Sequence, residues 1–245
     1  MNDAIAEALE ARSDARTARQ ANRQFSSLRG IRGVPAGDVA RVAAEAWRTH
    51  RPRLPDDAEE LAALFGQAHE DGLVAIGLLA ASWSGDPQRA LDIGLDWGQR
   101  LDDIVTADAL GWLVLGPVGL HTGEWVAILD ELAGHRRPEA RRAVVAMGLA
   151  ATPAVVEGPA AAPLREKLGQ RRIAMVDEVQ AGPIRAVLDR LVRDEHPSVR
   201  KALRRVVRAF ASGAPEAAVG WAADVPGGLP KLLGDEIRRA QRSLD

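Results

Sequence analysis

Two adjacent carboxylates stand out as chemistry-bearing residues: Asp102 and Asp103, in the run Leu101-Asp102-Asp103-Ile104-Val105-Thr106. A carboxylate held near a reacting centre steadies developing positive charge and orients water. The same pair has a local use. An Asp at a helix start accepts hydrogen bonds from free backbone N–H groups, and both charges favour the positive end of the helix. Taken alone, the run favours the capping use. Thr106 adds a hydroxyl one turn later, without charge.

Other chemistries are excluded by what the chain lacks. It has no cysteine, so disulfides, thiolate ligands and thiol nucleophiles are absent. The five histidines, at 50, 69, 121, 135 and 196, include no His-x-x-x-His pair, so no metal site is expected. His135 and His196 stand at helix starts and read as turn residues. There is no Gly-x-x-x-x-Gly-Lys-Ser/Thr loop, no Gly-x-Gly-x-x-Gly run and no Gly-x-Ser-x-Gly elbow, so neither a cofactor nor a serine hydrolase is expected.

Arginine is the second chemical resource. The 32 basic residues are almost all Arg, against 34 acids, for a net charge of −2 in 245 residues. That mean hides a segregation. Residues 12–53 carry ten Arg against three acids, net +7. Residues 54–131 carry fifteen acids against Arg89 and Arg100, net −13. Residues 132–210 carry sixteen Lys and Arg against eight acids, net +8. A positive groove with an acidic outer wall binds a polyanion whatever the total charge. The rival reading is that the basic faces are solvated or paired with the acidic block.

The elements that must position these residues are helices. Ala, Leu, Arg and Glu dominate, and they lose little side-chain entropy in a helix. Apolar periodicity broken by Gly, Pro and capping residues predicts helices over 2–24, 37–50, 56–69, 71–83, 86–100, 102–115, 122–134, 137–151, 161–178, 182–194, 197–212, 215–223 and 230–243. Asp86-Pro87, His196-Pro197, Ala214-Pro215 and Gly182-Pro183 mark starts, because Pro suits the first helical turn. Trp97, Trp112 and Trp125 could face a nucleobase, but their spacing among Leu, Ile and Val favours the core. The longest apolar run, 109–120, is too short to span a bilayer, and the acidic N-terminus is unlike a signal peptide, so a cytoplasmic protein without membrane contact is expected.

Two of these helices repeat a pattern. Pro138-Glu139-Ala140-Arg141-Arg142-Ala143-Val144 aligns with Pro197-Ser198-Val199-Arg200-Lys201-Ala202-Leu203, and the segment from His69 to Ile76 is a weaker third copy. Short linkers between short helices make antiparallel pairs. The expectation is an all-α, HEAT-like repeat α-solenoid with a concave basic face, against a plain bundle as the alternative. It is read as a single domain over 1–245, with 1–24 as an N-terminal capping helix and 213–245 as C-terminal capping helices.

The chain resembles the HEAT-like-repeat DNA alkylation repair family (AlkD-type alkylpurine DNA glycosylases). The resemblance rests on Arg23-Gln24-Phe25-x-x-Leu28-Arg29-Gly30-Ile31-Arg32-Gly33-Val34-Pro35, Leu64-Phe65-x-x-x-His69-Glu70, Asp103-x-Val105, Glu139-x-Arg141-Arg142-Ala143-Val144, and Val199-x-Lys201-Ala202-Leu203. These lie in family order over about residues 20–210. The family's fold is a right-handed solenoid that holds duplex DNA. Its activity is hydrolytic release of N-alkylated purines, which relies on a carboxylate near the sugar and on aromatic faces.

The resemblance also locates departures. The family pattern Trp-Asp-x-Val-Asp reads Asp102-Asp103-Ile104-Val105-Thr106 here. Thr106 stands where the family has its catalytic Asp, Asp102 where it has Trp, and Arg205 where it has a later Trp. Asp102, Asp103 and Thr106 are therefore the candidate catalytic residues. Asp102 is placed four residues before Thr106, on its helical face, as a substitute carboxylate. Arg137, Arg141, Arg142, Arg200, Lys201, Arg204 and Arg205 are the candidate DNA contacts, since Arg suits bidentate phosphate binding. The expected partner is double-stranded DNA, damaged or intact, bound by a monomer. Either a different lesion is cleaved, or DNA is bound without cleavage. A HEAT-type protein-interaction scaffold, using the acidic block, is the other class of reading.

Overall fold

Polar caps or prolines set where the helices starting at Ala15, Pro87, Ile104, Pro138, Pro197 and Pro215 begin. The computed structural model describes residues 1–25, 27–54, 56–153, 162–168 and 176–242. Among them the chain has helices and no strand. In order these are α1 (Asn2–Glu10), α2 (Ala15–Gln24), α3 (Ala36–His50), α4 (Ala58–Phe65), α5 (His69–Ser82), α6 (Pro87–Arg100), α7 (Ile104–Leu110), α8 (Gly116–Thr122), α9 (Trp125–Leu132), α10 (Pro138–Ala150), α11 (Ala162–Leu168), α12 (Ala181–Leu191), α13 (Pro197–Gly213), α14 (Pro215–Asp224) and α15 (Lys231–Gln241). A 3₁₀ turn follows α5 at Trp83–Gly85, and a π turn joins α7 to α8 at Gly111–Leu115.

The helices pack in two rows, as an all-α repeat solenoid. The first row is α3, α5, α7–α8, α10, α13 and α15, each against the next. The second is α4, α6, α9, α12 and α14, which pack against the first row and against one another. The two helices with the repeated Pro-x-x-Arg pattern, α10 and α13, are neighbours in the first row. One continuous apolar core runs between the rows.

The starts expected at Asp86-Pro87, His196-Pro197 and Ala214-Pro215 hold, whereas α12 starts at Ala181 and the helix expected from 122 starts at Trp125. The Asp86 carboxylate accepts from the Arg89 N–H at 3.0 Å, and Pro87 occupies the first turn. Three expectations are corrected. The 2–24 helix is two helices, because the Asp14 carboxylate starts a new one by accepting from the Thr17 N–H (2.6 Å) and hydroxyl (2.7 Å). The 56–69 helix stops at Phe65, and α5 starts at His69 rather than at 71. The 102–115 helix continues to Thr122. Pro117 lacks an N–H and would break a regular helix, and the wider π turn absorbs it, with the Gly116 N–H bonded to the Gly111 carbonyl. Of the expected 161–178 helix, α11 is described and 169–175 lie outside the described residues.

Ile104–Thr122 is apolar enough to cross a membrane, but 78% of its most apolar 18-residue window is buried inside the protein. It is a core helix, and glycines let it sit close to α10. A Cβ on Gly111 would lie 2.0 Å from the Ala143 carbonyl oxygen, and one on Gly116 would lie 2.5 Å from the Ala150 Cβ. Trp97, Trp112 and Trp125 are all buried in the core, so none presents a face to a base.

Candidate nucleic-acid interface

The first-row helices bring their opening turns to one edge. Side-chain links join successive turns there: His69 of α5 to Asp103 before α7, Asp108 of α7 to Arg142 of α10, and Arg142 to Ser198 of α13. The repeat pattern accounts for this, since it places a basic residue one turn after each Pro start.

Asp103 is the N-cap of α7. Its Oδ1 accepts from the Val105 and Thr106 N–H groups, each at 2.8 Å. Its Oδ2 accepts from the Thr106 hydroxyl (2.8 Å), His69 Nδ1–H (3.1 Å) and Arg29 Nη2 (3.2 Å). Burial pushes the Asp103 carboxyl upward, but the hydrogen bond and charge of His69, then the Thr106 amide and hydroxyl, outweigh it. The carboxyl is held below its ordinary value.

Asp102 does not share a helical face with Thr106, which corrects the substitute-carboxylate expectation. It precedes the helix and turns to the 27–29 loop. Its Oδ2 accepts from the Leu28 N–H (2.7 Å), the Ser27 hydroxyl (3.1 Å) and the Arg29 N–H (3.3 Å). Its Oδ1 receives Arg29 Nε (2.9 Å) and Nη2 (2.8 Å). Arg29 also donates to the Phe65 carbonyl (2.6 Å) and to the Thr106 hydroxyl (3.3 Å). Its guanidinium lies 4.8 Å from the centroid of the Phe65 ring, which stacks on Trp97.

The three candidate catalytic residues are thus brought together, but sealed. The side chain of Asp102 is 6% exposed, that of Asp103 is 0% exposed, and Thr106 is 0% exposed. A carboxylate with every lone pair engaged is a poor base and a poor partner for a sugar cation. Arg29 and His69, which complete the cluster, carried a sequence signal: both fall in the segments that bear the family resemblance. Their pairing with the acids did not. Beside the cluster, Gln20, Gln24, Phe25, Val39, His69 and Val105 line a cleft of about 280 Å³, with the Phe25 and His69 rings 4.8 Å apart.

The candidate DNA contacts divide into three groups. Arg142 is 2% exposed, with Nε and Nη2 on the two Asp108 oxygens (2.8 and 2.7 Å) and Nη1 on the Ser198 carbonyl (2.6 Å). It faces the interior, which corrects its expected outward place. Four more are half-buried and anchored. Arg141 pairs with Asp194 (2.5 Å), Arg205 with Asp108 (3.1 Å) and Arg204 with Glu236 (2.7 Å), while Arg137 donates to the Leu101 carbonyl (3.2 Å). Arg200 and Lys201, on the first turn of α13, are exposed and form no ion pair among the described residues. Arg136, exposed in the turn before α10, was not singled out from the sequence.

Part of the charge segregation is therefore internal pairing. Asp71, Asp102, Asp103 and Asp108 of the acidic block hold Arg32, Arg29, Arg142 and Arg205 of the basic blocks. At the far end of the first row, Glu236 is surrounded by Arg204, Arg208 and Arg239. Burial raises its pKa, but the hydrogen bonds of Arg208 and Arg204 and the charges around it overcome that and bring it to about 2.

A sequence model of the DNA alkylation repair enzyme family matches residues 5–230. The fold is similar to that of a predicted DNA alkylation repair enzyme from Enterococcus faecalis, with a TM-score of 0.63 and 17% identity over 93% of this chain and 96% of that one. No curated protein matches the chain. Two rows of stacked helices, the ordered motifs along the first row and a family match across nearly the whole length agree: this chain belongs to the DNA alkylation repair enzyme family.

Proposed function

We propose that this protein, whose family membership supports a DNA-repair-related function, binds duplex DNA through backbone phosphates along the edge where the α10 and α13 first turns lie. Arg200 and Lys201 are the primary contacts, and Arg136 and Arg137 extend the same edge. The carrying observation is that Arg200 and Lys201 are exposed there without an acidic partner among the described residues, while Arg141, Arg142, Arg204 and Arg205 are spent on acids of the protein itself. Unpaired cations in a row neutralise successive phosphates and release counterions. This is positioning without base readout, in keeping with the burial of Trp97, Trp112 and Trp125 in the core.

We propose further that ordinary alkylpurine excision is lost. Thr106 has no charge to offer a sugar cation, and Asp102 and Asp103 are committed to Arg29, His69 and backbone amides. The test is a titration of intact, methylated and abasic duplexes at two salt concentrations, with base release measured in parallel. Saturable binding that weakens steeply with salt, without release of methylated purine, supports the reading. Absence of salt-sensitive binding overturns the first part, and base release abolished by Asp103→Asn overturns the second. Of the acidic block on which the protein-scaffold reading relies, Asp71, Asp102, Asp103 and Asp108 are held by arginines of the basic blocks.

A further inference from the structure

One large apolar side chain is held out in water by a built structure. Leu28 is 89% exposed, against 56% for Val126 and 45% for Leu232, the other large hydrophobic residues exposed among those described. A lone exposed leucine is ordinary where the chain is unconstrained. Leu28 stands instead at the tip of a closed turn. The Gly30 N–H donates to the Ser27 carbonyl at 3.3 Å, with Gly30 in the left-handed region at φ 83°. The Gly30 carbonyl accepts from the His69 N–H at the start of α5 (2.9 Å). Asp102 accepts the Leu28 N–H at 2.7 Å and, on the same oxygen, the Ser27 hydroxyl and the Arg29 N–H. The Arg29 side chain reaches Asp102, Asp103 and the Phe65 carbonyl. Two buried carboxylates and a guanidinium thus fix the backbone on both sides of Leu28 and leave its side chain in solvent.

Cations without an acidic partner adjoin this turn. In the chain before it, α2 buries none of its ten residues. A helix with no buried face gains little from packing on its own protein. Its Arg19 and Arg23, one turn apart on one face, are exposed and form no ion pair among the described residues. Across Asp102, the Arg137 guanidinium donates at 3.2 Å to the carbonyl of Leu101, the residue directly before that aspartate, and Arg136 is exposed beside it. The turn therefore joins the edge that continues through Arg142 and the Ser198 carbonyl to Arg200 and Lys201.

We propose that Leu28 is a wedge that enters a duplex base stack where stacking is already interrupted, as at an abasic site, while Arg19, Arg23, Arg136 and Arg137 hold the flanking phosphates. This rests on the DNA-binding reading and deepens it. The phosphates place the duplex, and Leu28 senses how readily it opens, not which base is present. Apolar side chains inserted between base steps act in this way, and unstacking costs least where a base is damaged or mismatched. A turn fixed before binding loses little conformational freedom on insertion. Asp102 and Asp103, sealed from any substrate, acquire a use here, since they hold the turn.

The experiment measures binding to a short duplex, intact or with one central tetrahydrofuran abasic analogue, at two salt concentrations. A 2-aminopurine next to the central position reports unstacking by its fluorescence. The wild type is compared with Leu28→Ala, a change that removes nothing from the core. The expected result is several-fold tighter binding of the abasic duplex by the wild type, with a rise in 2-aminopurine fluorescence. Leu28→Ala should lose most of that preference and of the rise. No charge is removed, so its salt slope should stay that of the wild type. A wild type without preference, a preference without a fluorescence change, or a full preference in Leu28→Ala overturns the wedge and leaves the DNA reading standing. A preference lost together with the salt slope also overturns it, because the turn then serves to place the arginines. If neither duplex shows salt-sensitive binding, both readings fall.

Discussion

Arg142 and Asp108 form a bidentate ion pair inside the first helical row, at 2.8 and 2.7 Å, with side chains only 3% and 6% exposed. The arginine that the repeat pattern offers to solvent is turned inward, and its third donor reaches the Ser198 carbonyl of the next repeat. This one pair joins α7, α10 and α13. It explains how three helix starts are held in register along the edge that also carries Arg200 and Lys201.

Removing one partner leaves the other as an uncompensated buried charge. Asp108→Ala is expected to cost about 3–5 kcal/mol, the usual size for breaking a buried pair from one side. Arg205 loses its partner in the same variant. Urea denaturation followed by helical circular dichroism measures the loss, and a change below about 1 kcal/mol contradicts the assignment.

Gly111→Ala tests the close approach of α7–α8 to α10. The new methyl group would lie 2.0 Å from the Ala143 carbonyl oxygen, which is backbone and cannot swing away. The two helices must separate, at about 1–3 kcal/mol or more. A lowered melting temperature is expected, whereas Gly134→Ala, where a Cβ meets nothing within 4 Å, serves as the control.

Glu236 predicts an acid-side pH dependence. Its pKa is lowered from 4.5 to about 2 in the folded chain, so folding favours the ionised form. That contribution is fully present above the unfolded value and is lost as pH falls from about 4.5 toward 2. Asp103, also lowered, acts with the same sign. Stability measured against pH is expected to fall more steeply over this range in the wild type than in Glu236→Gln. Equal slopes would show that the Arg204, Arg208 and Arg239 cluster does not hold the carboxylate.

Arg200→Ala/Lys201→Ala is expected to leave the fold intact and weaken duplex binding uniformly across sequences. Because each lost phosphate contact removes about 0.9 from the slope of log affinity against log salt, the double variant should lower the slope by about 2. An unchanged slope places the contacts elsewhere.

The fold was legible because it depends on local rules. Asp86-Pro87, His196-Pro197 and Ala214-Pro215 start helices whatever surrounds them, since the cap and the fixed proline φ act within one turn. The break at Asp14 was missed although the signal was local, an Asp followed three residues later by Thr17. The run through Pro117 was missed for a different reason. Only packing against α10 makes a widened turn preferable to a break there.

By itself the sequence determined the helical class, the order of the repeats and the family-position residues that depart from pattern. Those follow from composition, periodicity and spacing along the chain. Tertiary structure alone decided which charges are spent and which are free. Arg142 and Lys201 each sit four residues after equivalent prolines, yet one is buried on Asp108 and the other faces solvent. The physical reason is that an arginine's role depends on the carboxylate opposite it. That partner comes from a different helix, thirty-four residues away for Arg142, and is brought close only when the rows stack.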